Sequence, residues 1–367
     1  MKSIRYALYC CVVLSLLVGC TKTENAQDAK KPEQAQSTHI TEIPVNFSNV
    51  VRAESNLMFK QAIERANGVN KFHHTREAAT QHTQLIVRSQ SDMLYSHGVF
   101  DASKQVTVKM PDLITGYHSV HIFDANHAQI AMAYANETIT ITPDMITTED
   151  KHVYMLMRTS VANGLETAHK SQDSVVVTAD SDTPYQDAKY SEEQLKFAKR
   201  FMAGINILDL LKGQTASYQE IDTSKGIPVG DDLVSYQYIA TSLLGWGLMP
   251  NAHAYYPVLY VKGTDCGVIE IDNPPVQYDN GGYWSLTAYG FDGYLRTEKT
   301  VISMKQAIRN EAGGYSIWVG NTPECRSKPN YLDMPKGGAS LVLRMYRPTS
   351  VSEAKAYEKK VQEVNNK

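Results

Sequence analysis

Beyond its first twenty positions the chain has no long hydrophobic run. No later stretch approaches 18 consecutive apolar residues, so no further membrane span is expected. Basic blocks interleaved with aromatics are missing too. With 36 basic against 39 acidic residues the net charge is −3, and nucleic acid is not an expected partner. The chain holds no G-x-S-x-G elbow, no Walker loop, no G-x-G-x-x-G and no H-E-x-x-H. No cofactor is expected. Cysteine is scarce: Cys10, Cys11 and Cys20 lie at the start, and only Cys266 and Cys325 remain after them.

What is present at the start is an address. Lys2 and Arg5 precede a 13-residue, mostly apolar run at 6–18, too short to cross hydrocarbon and typical of a signal-peptide core. Leu17-Val18-Gly19-Cys20 resembles the bacterial lipobox, which implies removal of 1–19 and lipidation of Cys20. Acyl chains there would hold the protein on a bilayer without crossing it. Thr21, rather than Asp, after the cysteine resembles lipoproteins sent to the outer membrane, facing the periplasm. Losing Lys2 and Arg5 leaves 34 basic against 39 acidic residues, a net charge of −5. In that oxidising compartment Cys266 and Cys325, both in polar, turn-like contexts, are expected to pair; two unpaired thiols are the alternative.

Organisation follows from composition and period. Residues 20–44 hold no aromatic side chain and read as a tether. A helix is expected within 45–68, ended by Gly68. Short β runs then recur at 105–110, 117–123, 129–134, 137–141, 152–157 and 174–178. Ser191-Glu192-Glu193-Gln194 is a capping box before an apolar stripe that includes Leu195, Phe201, Met202, Leu208 and Leu211, with Gly213 as its end. A second helix is expected over 231–244. Strand signals return at 257–261, 268–271, 283–289, 315–319 and 340–346. The expected architecture is mainly β with helices, α+β: two β-sandwich-like domains (45–185 and 251–350), a helical connector (186–250) and a charged tail (351–367).

Candidate chemistry is sparse. His118 and His121 fall on one strand, where alternation sends them to opposite faces, and His73-His74 is expected in a loop, so no metal site is expected. Arg88, Asp92, Tyr95 and Ser96 lie where a strand begins; Asp124, Asn126 and His127 lie where another ends. If those strands are neighbours, a guanidinium, a carboxylate and an imidazole converge to bind an anion or to exchange protons. The alternative is structural: an Arg88–Asp92 ion pair and an Asx turn at Asp124.

Ordered pieces carry a family resemblance. Val51-Arg52-Ala53-Glu54-Ser55, Gly68-Val69-Asn70-Lys71-Phe72, 88–96 and Asp124-Ala125-Asn126-His127 resemble the domain of unknown function numbered 1254. Gly245-Trp246-Gly247-Leu248-Met249-Pro250, Asn273-Pro274-Pro275, 283–289, Asp292-Gly293-Tyr294-Leu295 and 335–348 resemble the domain numbered 1214. The resemblance implies two β-rich parts and no established reaction. Gln90, Ser91 and Met93 depart from the Asn, Arg and Thr usual beside the aspartate. The functional expectation is an envelope protein binding a small polar ligand or an envelope component, supported by 22 tyrosines against eight phenylalanines. The alternative is an envelope hydrolase using Asp92 and His127, with Arg88 stabilising negative charge.

Overall fold

The computed structural model describes residues 42–84, 87–211, 232–263 and 265–365. The signal segment, Cys20, most of the tether and Gly213 lie outside the described residues, as do the side chains of Leu208 and Leu211.

Alternating apolar residues build the first sandwich. Its strands are β1 (Lys71–His74), β2 (Met93–Asp101), β3 (Val106–Lys109), β4 (His118–Asp124), β5 (Gln129–Tyr134), β6 (Thr138–Ile141), β7 (His152–Ser160) and β8 (Val176–Ala179). One sheet runs β1-β2-β7-β4-β5 and a second runs β6-β3-β8. Phe100, Val120, Ile122, Val153, Met155 and Met157 of the larger sheet pack onto Val106, Val108 and Ile141 of the smaller. This face is dry. His73 and His74 are not in a loop; they form β1, paired antiparallel with β2. That pairing needs a residue without a side chain at Gly98, where a Cβ would stand 2.5 Å from the Lys71 carbonyl oxygen.

The second sandwich repeats the logic with β9 (Ala254–Tyr255), β10 (Val258–Val261), β11 (Gly267–Ile271), β12 (Tyr283–Tyr289), β13 (Val301–Ser303), β14 (Tyr315–Gly320), β15 (Tyr331–Asp333) and β16 (Ala339–Tyr346). The β10-β16-β12-β13 sheet packs against β11-β14-β15 through Trp284, Leu286, Leu341, Leu343, Ile317 and Val319. Cys266 and Cys325 form a disulfide, tying the start of β11 to the short helix Pro323–Arg326. The charged tail is the helix Val351–Asn365, whose Ala354, Tyr357 and Val361 are buried in this same core.

The connector helices Glu192–Leu211 and Asp232–Leu244 pack against the helix Val50–Ala66 through Val50, Ala53, Leu195, Met202, Ile239 and Leu243. The expected capping box is used differently. Gln194 Oε1 accepts the Val45 N–H (2.7 Å), while the Ser191 N–H donates to the Ile43 carbonyl (3.0 Å). The helix start thereby clamps the incoming chain instead of closing on itself. Residues 42–365 pack as one unit, because the two sandwiches share a buried cluster of Met93, Tyr117, Tyr134, Met249, Tyr283 and Tyr346.

Candidate functional site

Between the sandwiches lies a polar layer, and strand register explains who occupies it. In the larger first sheet Arg158 of β7 pairs directly with Tyr95 of β2 and Ser119 of β4, and Ser119 pairs with Tyr134 of β5. Directly paired antiparallel residues share a face, so these four form one row. Two residues along, His97, Leu156, His121 and Met132 form the next. The second sandwich presents the outer face of β12 and β16, whose inner face is spent on its core: Tyr283, Tyr289, Arg344 and Tyr346. An arginine thus rises from the last three residues of each sandwich's long strand, β7 and β16, into one tyrosine-rich layer.

The expected motif residues split up here. Gln90 Oε1 accepts from Tyr95 (3.1 Å) and from Tyr346; Asp92 accepts from Tyr283 (2.9 Å) and from the Gln90 amide (3.3 Å). Arg344 donates to the Arg88 carbonyl (2.8 Å), the Tyr289 hydroxyl (2.8 Å) and Thr287 (3.0 Å). Arg88 itself is exposed and contributes its carbonyl, so it is neither an ion-pair partner of Asp92 nor a guanidinium in this layer. Ser96 alternates away from Tyr95 to the opposite face, bonded to His74 (2.7 Å) and Gln172 (3.0 Å).

Asp124 and His127 are elsewhere. β2 and β4 flank β7 and both run antiparallel to it, so the start of one and the end of the other lie at opposite ends of the sheet. The Asp92 carbonyl meets Val161 N, whereas Asp124 pairs with Val153. Eight residues of extended chain make that about 25 Å. A shared Asp92–His127 acid–base site is therefore excluded by topology. Asp124 forms an Asx turn, accepting from Asn126 N (2.9 Å), Ala128 N (3.1 Å) and Thr147 N (2.8 Å). His127 stacks on Trp246 and accepts the Gly247 N–H at Nε2 (3.0 Å). Burial lowers its pKa to about 4, so it is neutral. His118 and His121 point to opposite faces, His118 meeting Thr159 (3.0 Å) on the dry side.

The turn at Gly247 closes one side of the polar layer. Gly247 has φ +72°, and a Cβ there would meet Leu156 Cδ2 at 2.5 Å. Its carbonyl accepts from Arg158 Nη2 (2.6 Å). Arg158 is 6 % exposed, and its Nη1 is buried with no hydrogen-bond partner among the described residues. On the other side Tyr95, His97 and Tyr256 are half-buried and keep part of their surface accessible, and the Tyr95 and His97 rings stack 6.2 Å apart. Burial raises the Tyr95 phenol to about 12 and raises Tyr256 and Tyr346; it lowers His97 to about 3, with Arg65, His73 and Arg158 adding repulsion. None of these rings is charged at neutral pH. By contrast, a surface groove lined by Glu298, Lys299, Gln306, Lys328 and Asn330 has no buried charged side chain.

Sequence reasoning missed Arg158, His97, Tyr256 and Arg344. A signal existed for two of them: each arginine interrupts an otherwise apolar β run, HVYMLMRTS and ASLVLRMY.

Comparisons with known proteins agree with the two-part reading. A family described as "Protein of unknown function (DUF1254)" matches residues 69–179, and one described as "Protein of unknown function (DUF1214)" matches residues 268–350. Among curated proteins none matches. The chain is similar in fold to the VPA0106 protein from Vibrio parahaemolyticus, with a TM-score of 0.56, 17% identity, and coverage of 82% of this chain and 93% of that one. A putative uncharacterized protein from Burkholderia cenocepacia aligns with a TM-score of 0.44 and 13% identity over 83% and 84% of the two chains.

Proposed function

The chain belongs to the proteins that join a DUF1254 part to a DUF1214 part, and from that premise we propose that it is a lipid-anchored, periplasm-facing protein that binds a small polar ligand between its two sandwiches. What supports the binding is that Tyr95, His97 and Tyr256 keep part of their surface accessible between two apolar cores, and we read that surface as the wall of a recess. Phenol and imidazole rings there offer apolar faces with polar tips, which suits a small ligand with both characters. The anchor rests on the sequence at Cys20.

The test uses the soluble form that begins after Cys20 and a panel of small polar compounds in thermal melts. A saturating ligand is expected to raise the midpoint by about 3 °C or more, and His97→Trp, which fills the recess, is expected to abolish the rise. A rise that survives His97→Trp overturns the site. Cys20→Ser in the full chain is expected to move the protein from the membrane to the soluble fraction.

A further inference from the structure

We propose that the recess takes a ligand carrying a single negative charge, a monocarboxylate with a flat apolar body, held at its head by Arg158. This rests on the binding reading above and specifies its ligand class.

Charge accounting in the polar layer carries the argument. Two buried guanidiniums face it, Arg158 and Arg344, 6 % and 4 % exposed. Among the described residues Asp92 is the buried carboxyl there; the other buried acids belong elsewhere, Asp124 to its turn, Asp101 to the Ser103–Thr183 side and Glu54 to Lys199. Asp92 accepts hydrogen bonds from Tyr283 and the Gln90 amide, and one carboxyl can offset at most one arginine. The tyrosines and His97 are neutral, so among the described residues at least one positive charge is unmatched. A buried cation without a counter-ion is costly, and such a charge persists where something outside the fold supplies the partner.

The surplus sits at Arg158. Arg344 spends its donors on Arg88, Tyr289 and Thr287, and its guanidinium lies 5.5 Å from the Tyr289 ring centroid. Arg158 has one bond, through Nη2 to Gly247, and its Nη1 is buried without a partner among the described residues. Guanidinium nitrogens suit a carboxylate because their donors lie in one plane. Tyr95 pairs with Arg158 across the strands, and His97 follows two residues on, about 7 Å along β2. The stacked Tyr95 and His97 rings therefore form a wall leading away from the guanidinium, long enough for one ring or a short chain. A dianion is disfavoured, since the layer lacks a second unmatched charge and the imidazoles beside it are neutral.

Benzoate is the probe, benzamide its neutral isostere and inorganic phosphate the more highly charged anion, titrated by calorimetry into the soluble form. Benzoate is expected to bind at least about tenfold tighter than benzamide or phosphate at pH 7.5, the ratio that a charge-assisted hydrogen bond supplies. Arg158→Met is expected to remove benzoate binding while leaving the ligand-free melting midpoint unchanged or higher, because it withdraws an unpaired buried charge. Arg158→Lys keeps a cation and is expected to retain weakened binding. Equal affinity for benzoate and benzamide, or benzoate binding unaltered in Arg158→Met, overturns the proposal. Neutral polar ligands that bind through His97 when benzoate does not would overturn the ligand class and leave the recess as a binding site. A ligand-free midpoint that falls in both variants, with no benzoate binding in the parent, would make Arg158 a structural cation and overturn this proposal, leaving the binding reading to the His97→Trp test.

Discussion

His127 holds the Gly245–Gly247 turn by accepting the Gly247 N–H at Nε2, which a protonated ring cannot do. Its folded pKa of about 4 lies below the ordinary value near 6.5, and burial also lowers His118 to about 4 and His97 to about 3. As pH falls below 6.5, the unfolded chain takes up protons that the folded chain refuses. Stability is therefore full above pH 6.5 and lost as pH falls toward 4, and the share of His127 is about 3 kcal/mol. Urea denaturation at pH 7.5 and 4.5 checks this, with His127→Gln, which retains an acceptor, showing a shallower loss. Asp92 is the other residue whose removal is read most directly. Asp92→Ala strips Tyr283 and Gln90 of their acceptor and should cost about 3 kcal/mol, whereas Asp92→Asn, which keeps an acceptor, should cost about 1 kcal/mol in the same measurement. The sequence pointed to Asp92 and Tyr95 as neighbours on one strand. Alternation alone sends Ser96 to the other face from Tyr95, but the sequence held no sign that His74 meets it there, or that the exposed Arg88 serves through its carbonyl.

At the scale of elements, periodicity located nearly every long strand because each has one face in a dry core. It missed β1, β9, β13 and β15, which are short and whose pairing is decided by partners distant in sequence. The helix Leu165–Asp173 was also missed, since only Ala168, Ser171 and Gln172 of it are buried and they carry little apolar signal. The capping box at Ser191 was recognisable by residue type, yet Ile43 and Val45 compete for its groups and win. The disulfide acts between elements. It joins β11 to the β14–β15 connection across a separation of 59 residues. In the chain-entropy account such a loop closure is worth about 4 kcal/mol. The Cys266→Ala, Cys325→Ala pair should lower the guanidinium midpoint accordingly, and a reductant should do the same to the parent but not to the double variant.

For the molecule as a whole, the joint between sandwiches is built from both halves of the sequence. Tyr117 and Tyr346 rings lie 4.5 Å apart, and Tyr283 reaches Asp92 across the joint. Met249 and Trp246 flank the Gly247 turn, one in the shared cluster and one against Phe123. Neither half can bury these side chains alone. Calorimetry of residues 42–367 should therefore show one transition, and a chain ended at residue 250 should lack a cooperative melt. Two separated transitions would contradict this account of the joint.

The sequence by itself determined two β-rich parts, the helical segment between them and the resemblance of each part to its domain of unknown function, and it made the pairing of the two late cysteines the expectation. These depend on local periodicity, on ordered motifs and on counting, which survive without knowing who neighbours whom. Tertiary structure alone decided the site. Register sets Arg158 beside Tyr95, and strand order puts Asp92 and His127 at opposite ends of β7. The outer face of β16 brings Arg344 into the same layer from the other half of the chain. Side chains brought together across strands and sheets leave no spacing signature in one dimension. An arginine without a counter-ion among the described residues is visible only once its neighbours in space are known.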